Sequence, residues 1–273
     1  MSAASKGLLE LLDRGRDDVE ALQQGIAATI AIDALSDRRA VSGVERGRIG
    51  DLISRIVERD DIDLRRKALA LAAQGRLRLQ HGQAELALAD LERATLLVDA
   101  ANGASGDRAF VAGRLGYALS MMARTEQALV AHGASAEHAR ASGDLRAHVA
   151  ALQDEGNILQ QLGRTREARE RFDTSLERAR AADDRAGEMR AHAGIAYQHL
   201  QALEFEPARD AYASAAAIGE GGVAPRLNAL VSGYSALLHL EHGRVDRALA
   251  LAARAVASSS TPSARTSTTP RTA

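Results

Sequence analysis

Small residues recur along this chain on a fixed stride. Ala87, Ala128, Ala168, Ala208 and Ala248 are separated by 41, 40, 40 and 40 residues. Twelve positions before each stand Gly75, Gly116, Gly156, Ala196 and Ala236, and seven positions after each stand Ala94, Ser135, Ser175, Ala215 and Ala255. A period of this length holds one supersecondary unit, and units that cannot bury an apolar face alone must stack on their neighbours. Between the markers the apolar spacing is helical. Val149, Leu152, Gly156, Leu159 and Leu162 share one stripe, while Ala168, Phe172, Ser175, Leu176 and Ala179 share another. Two helices of about 15 residues, each about 22 Å long, plus two short turns use up the period. Gly, Ala or Ser where the helices cross lets the backbones approach, with Leu, Phe or Tyr filling the flanks. Gly82, Ala123, Gly163, Leu203 and Gly243, five residues before each marker alanine, are the expected stops between paired helices.

Composition agrees with an all-α fold and removes several classes of function. The 273 residues are 46% hydrophobic but only 3% aromatic, with no Trp, so the core must be built from Ala and Leu. The four prolines lie at 207, 225, 262 and 270, and no run alternates as a strand would. With 35 basic and 36 acidic residues the chain lacks the basic footprint of a nucleic-acid or anionic-membrane binder, so neither is an expected partner. It has no cysteine, which excludes disulfides, thiolate catalysis and Cys-ligated metals. The first residues do not follow the plan of a secretory signal, and no apolar run approaches the roughly 20 residues that span a bilayer. A cytoplasmic location is expected.

The run GNILQQLGRTREARERFDTSLERARAADD resembles the tetratricopeptide repeat, as do GRLRLQHGQAELALADLERA, GYALSMMARTEQALVAHGAS and LLHLEHGRVDRALALAARAV. The resemblance covers about residues 68–257. The forty-residue period, with connectors at Gly106-Asp107, Gly143-Asp144 and Asp183-Asp184, is similar to the long-helix subclass of spindle-orientation adaptors and of the sensor arms of bacterial signalling ATPases and regulators. His132 and Ala252 depart from the family pattern, standing where a bulky apolar or aromatic residue is usual, and neither an opening Trp nor a closing proline is present. The resemblance implies a right-handed α-solenoid of stacked antiparallel helix pairs, in five repeats at about 68–105, 106–145, 146–185, 186–225 and 226–257.

Outside the repeats, residues 8–36 and 44–58 read as amphipathic helices, either a worn sixth pair or an N-terminal cap over 1–67, the worn pair being favoured. Residues 258–273 read as a disordered Ser/Thr/Pro tail. With no polar capping helix after Ala257, the last helix is expected to leave an apolar face open, covered by self-association, by a partner, or by a continuation of the array.

The resemblance also implies a site. Its concave face is lined by the first helix of each pair and receives a peptide or protein segment. The positions that match are Arg76 and Gln80, then Tyr117 and Met121, then Gln153, Asn157, Gln160 and Gln161, then Arg190, Tyr197 and Gln201. Asn157 stands where the family's peptide-clamping Asn stands, and an amide can pair with a peptide N–H and C=O at once. The cationic set that grips a C-terminal carboxylate in chaperone-binding members is not reproduced. No catalytic residue, cofactor or metal is expected. The HLEH segment from His239 to His242 has its histidines three apart rather than four, His192 and His199 lack a third ligand, and Gly43, Gly47 and Gly50 lack the strand and the Lys-Ser/Thr pair of a phosphate loop. The expected function is a non-catalytic scaffold for protein interaction; the alternative is the regulatory sensor arm of a bacterial signalling ATPase, kinase or transcription regulator.

Overall fold

The computed structural model describes residues 53–54, 57–220 and 224–260. The helical readings at 8–36 and over most of 44–58, the Gly43 to Gly50 segment and residues 261–273 of the tail lie outside them. From Leu64 onward the described residues form ten helices: α1 Leu64–Gln80, α2 Ala84–Ala100, α3 Ser105–Met121, α4 Thr125–Ser142, α5 Leu145–Gln161, α6 Thr165–Ala181, α7 Arg185–Gln201, α8 Phe205–Gly219, α9 Pro225–Glu241 and α10 Val245–Ser260. The last helix extends three residues past Ala257. The chain divides into two compact units, one ending at Arg164 and the other beginning at Thr165.

In the first unit α1 packs against α2, α3 against α4, and α5 against α4, with α3 also seated on both α1 and α2. Ile53 and Val57 are buried in the same core as Leu71, Leu91, Val98 and Val111. A second cluster joins Leu88, Leu119, Ala128 and Ile158. In the second unit α7 packs against α8, α9 against α10, and α6 against α7. Met189, Tyr212, Ile218, Val231 and Leu238 form its core. Consecutive antiparallel helices, with no strand among the described residues, make this an all-α helical-repeat fold.

The small residues lie where the sequence stride puts them. All are buried except Ala255, which is half-buried. A Cβ on Gly75 would meet Leu91 Cγ at 2.8 Å and the Ala87 carbonyl oxygen at 3.1 Å, and one on Gly116 would meet the His132 ring at 2.8 Å. At these two points the Leu91 and His132 side chains of the facing helix fill the space that a Cβ would take.

The turns repeat as well. Gly82, Ala123, Gly163, Leu203 and Gly243 all adopt left-handed backbone, with φ of 75, 57, 72, 60 and 68°. After each, the next N–H donates to a carbonyl five residues back: Gln83 to Arg78, Arg124 to Leu119, Arg164 to Leu159, Glu204 to His199 and Arg244 to His239, all at 2.9 Å. This closes the first helix of each pair with a Schellman motif. Asp63, Asp144 and Asp184 cap the starts of α1, α5 and α7, each accepting from a backbone N–H three residues on. Gly106-Asp107 is not the matching connector in the second pair. It sits in the first turn of α3, whose N-cap is Ala104, and Asp107 is bound instead by Arg65.

Candidate functional site

The first helices of the pairs, α1, α3, α5, α7 and α9, carry Arg76, Tyr117, Asn157, Tyr197 and Leu237 at one shared register position.

In the first unit the Arg76 guanidinium stands 5.9 Å from the centroid of the Tyr117 ring, a cation–π approach that ties α1 to α3. Tyr117 remains 41% exposed, and Met121, one turn on, is 62% exposed. Gln80, Asn157 and Gln161 are exposed, and Gln160 is half-buried. The Gln160 Nε2 is buried with no hydrogen-bond partner, so this amide nitrogen is not presented to the surface. Gln153 does not belong to this surface. It is 4% exposed, on the packed side of α5, as Ala72 at the same register position is in α1.

In the second unit Arg190 and Gln201 are exposed at opposite ends of α7. Tyr197, half-buried between them, meets Tyr234 of α9 edge-on at 5.7 Å, and Tyr234 stacks on Tyr212 of α8 at 5.6 Å. Burial pushes the Tyr212 phenol above its ordinary range, with the neighbouring tyrosines adding to the shift, and its hydroxyl has no hydrogen-bond partner. The sequence reading missed Tyr234, whose register position holds Ala73, Arg114, Asp154 and Gly194 in the other pairs and so has no recurring signal. Leu230, Leu237 and Leu240 are also exposed on α9, and Leu237 continues the register of Tyr197.

Several titratable groups are held in contacts within the fold. Arg78 donates to Asp90 at 2.6 Å, yet burial raises the Asp90 carboxyl to about 6, outweighing the pull of Arg78. Burial lowers His132, against the opposing influence of Asp154 at 3.8 Å. His199 lies between Arg169 and Glu204, and the His242 Nδ1 stands 2.8 Å from the Leu238 carbonyl oxygen. Among the described residues no three His, Asp or Glu side chains are placed to hold a metal ion, and no helix is long and apolar enough to cross a membrane.

No protein-family model matches the chain, and no curated protein matches it. Solved structures do. A signal transduction ATPase with numerous domains and a tetratricopeptide repeat sensor, from Pyrococcus horikoshii, superimposes with a TM-score of 0.69 at 15% identity, over 88% of this chain and 38% of its own. The apo form of the quorum sensor NprR from B. thuringiensis gives 0.67 at 13% identity, over 93% of this chain and 70% of its own. A Rap protein complexed with Competence and Sporulation Factor gives 0.64 at 13% identity, over 93% and 77%. The chain has the tetratricopeptide-type helical-repeat fold.

Proposed function

We propose that this protein is a non-catalytic interaction scaffold that binds a segment of another protein along the first helices of the pairs in its first unit. The observation that carries this is the first-unit face. Exposed Tyr117 and Met121 offer apolar anchorage beside a cation, while Asn157 and Gln161 offer exposed amide groups. Apolar anchors with a few amides is the mixture an unfolded segment needs, since its own N–H and C=O groups must be paired as its side chains are buried. The Rap protein of the same fold, crystallised with a bound factor, supports the assignment by fold alone.

The test begins with proteins co-purified from lysate, each then expressed and titrated directly against the wild type and the Tyr117→Ala and Asn157→Ala variants. Both variants should keep wild-type helicity and bind at least tenfold more weakly, equivalent to about 1.4 kcal/mol. Undiminished affinity in both variants would place binding elsewhere.

A second reading is favoured by the likeness to a signalling ATPase of which this chain matches only 38%. The chain would then serve as a sensor arm that changes pitch on binding its ligand. Small-angle scattering with and without a titrated partner distinguishes the two, since a plain scaffold keeps its radius of gyration and a sensor does not.

A further inference from the structure

The last helix carries an exposed apolar stripe of a particular design. Val245, Leu249, Ala252 and Val256 follow one another at intervals of four, three and four, the spacing of a helix-pairing seam. Val245, Leu249 and Val256 are 50%, 64% and 66% exposed, and Ala252 is exposed too. Earlier in the chain the Ala252 position is covered, while the Leu249 position varies, holding Leu88, Leu129, Arg169 and Arg209. Leu91, His132, Phe172 and Tyr212, which correspond to Ala252, are all buried, and Leu88, which corresponds to Leu249, is 5% exposed. Covering comes from the next first helix: Leu88 shares a cluster with Leu119 of α3, and Tyr212 stacks on Tyr234 of α9. The face is thus one that receives the next helix in at least two earlier pairs.

The stripe also indicates which helix. Read backwards it complements itself in size: in an antiparallel pair centred between Ala250 and Leu251, Leu249 falls opposite Ala252, and Val245 opposite Val256. The small residue at the Ala252 position is then the hole for the partner's leucine, where every earlier pair supplies its own bulky side chain. The flank is small at Ala253, which allows close approach. Both cations of the helix, Arg247 and Arg254, lie seven apart on the opposite side, so pairing with an identical helix brings no like charges together. Leu240, exposed at the end of α9, extends the apolar surface across the turn. We infer that this face binds a second copy of the same chain, with α10 pairing antiparallel to α10 of its partner about a two-fold axis near residue 250. The inference does not rest on the proposed peptide face.

The test uses the full chain, which has no native cysteine, so introduced thiols report alone. Light scattering over a concentration series should show a reversible dimer, and Leu249→Glu should raise its dissociation constant at least tenfold with helicity unchanged. Under mild oxidation the Val245→Cys/Val256→Cys double variant should cross-link into a covalent dimer. Neither single variant should do so, because in an antiparallel pair like positions lie about 17 Å apart along the axis. A wild-type monomer at every concentration, single variants that cross-link as readily as the double, or a Leu249→Glu variant that stays dimeric would each overturn the inference; the second result would indicate parallel pairing.

Discussion

Gly116 lies directly against the His132 ring, so close that a Cβ there would stand 2.8 Å from three ring atoms. The second pair accommodates a histidine at a position held elsewhere by Leu91, Phe172 and Tyr212 because the facing helix has no side chain at that point. Gly116→Ala should therefore cost about 1–3 kcal/mol in urea unfolding as an overpacking change. Adding His132→Ala should recover part of that loss. Strictly additive losses would show that the two residues are not coupled.

The left-handed turns separate backbone strain from packing. Leu203 has φ 60° and is 72% exposed, so Leu203→Gly removes the strain of a side chain in this region without giving up burial. A gain of about 0.5–1 kcal/mol is expected, net of the greater freedom glycine brings to the unfolded chain. Gly163→Ala, at the corresponding turn, should lose about 1 kcal/mol. Thermal unfolding of the two variants side by side checks the sign; a fall for Leu203→Gly would mean that its side chain contributes more than its backbone costs.

Asp90 should make stability fall as pH rises. Its carboxyl ionises near 3.8 when the chain is unfolded and at about 6 when folded, so between those values the folded state holds the extra proton. Stability from this group is highest below about pH 4 and declines until about pH 6, by at most about 3 kcal/mol. Asp90→Asn should flatten that part of the profile. Equal slopes for variant and wild type, from urea titrations at several pH values, would refute the assignment.

Tyr212 keeps its hydroxyl in the core of the second unit with no partner. Tyr212→Phe retains the ring that stacks on Tyr234 and removes the unsatisfied group, so it should stabilise by about 1 kcal/mol and raise the melting temperature by about 2–4 °C. A drop in melting temperature would show that the hydroxyl is hydrogen-bonded in solution.

These cases also show which features the sequence makes legible. Close backbone approach and a left-handed bend each restrict residue type severely, so Gly75, Gly116, Gly82 and Gly163 stand out on the stride without any structure. Caps are less constrained. The connector before α3 is four residues long and that before α5 is two, and the change in length shifted the apparent match onto Gly106-Asp107. The proposed binding face is drawn only through register, since solvent-facing positions are free to vary. Register could not foresee that Gln153 is buried, nor that Tyr234 joins Tyr197 and Tyr212 in an aromatic cluster whose three members come from three helices.

The five bends share one main-chain hydrogen bond while being built from glycine, alanine and leucine. A joint closed by the same main-chain bond can thus be built from more than one residue, at an energetic cost where that residue carries a side chain. Duplication or loss of forty codons in phase would therefore lengthen or shorten the molecule by a whole module and leave the joints on either side intact, a ready route by which such genes can change reach without relearning how to fold.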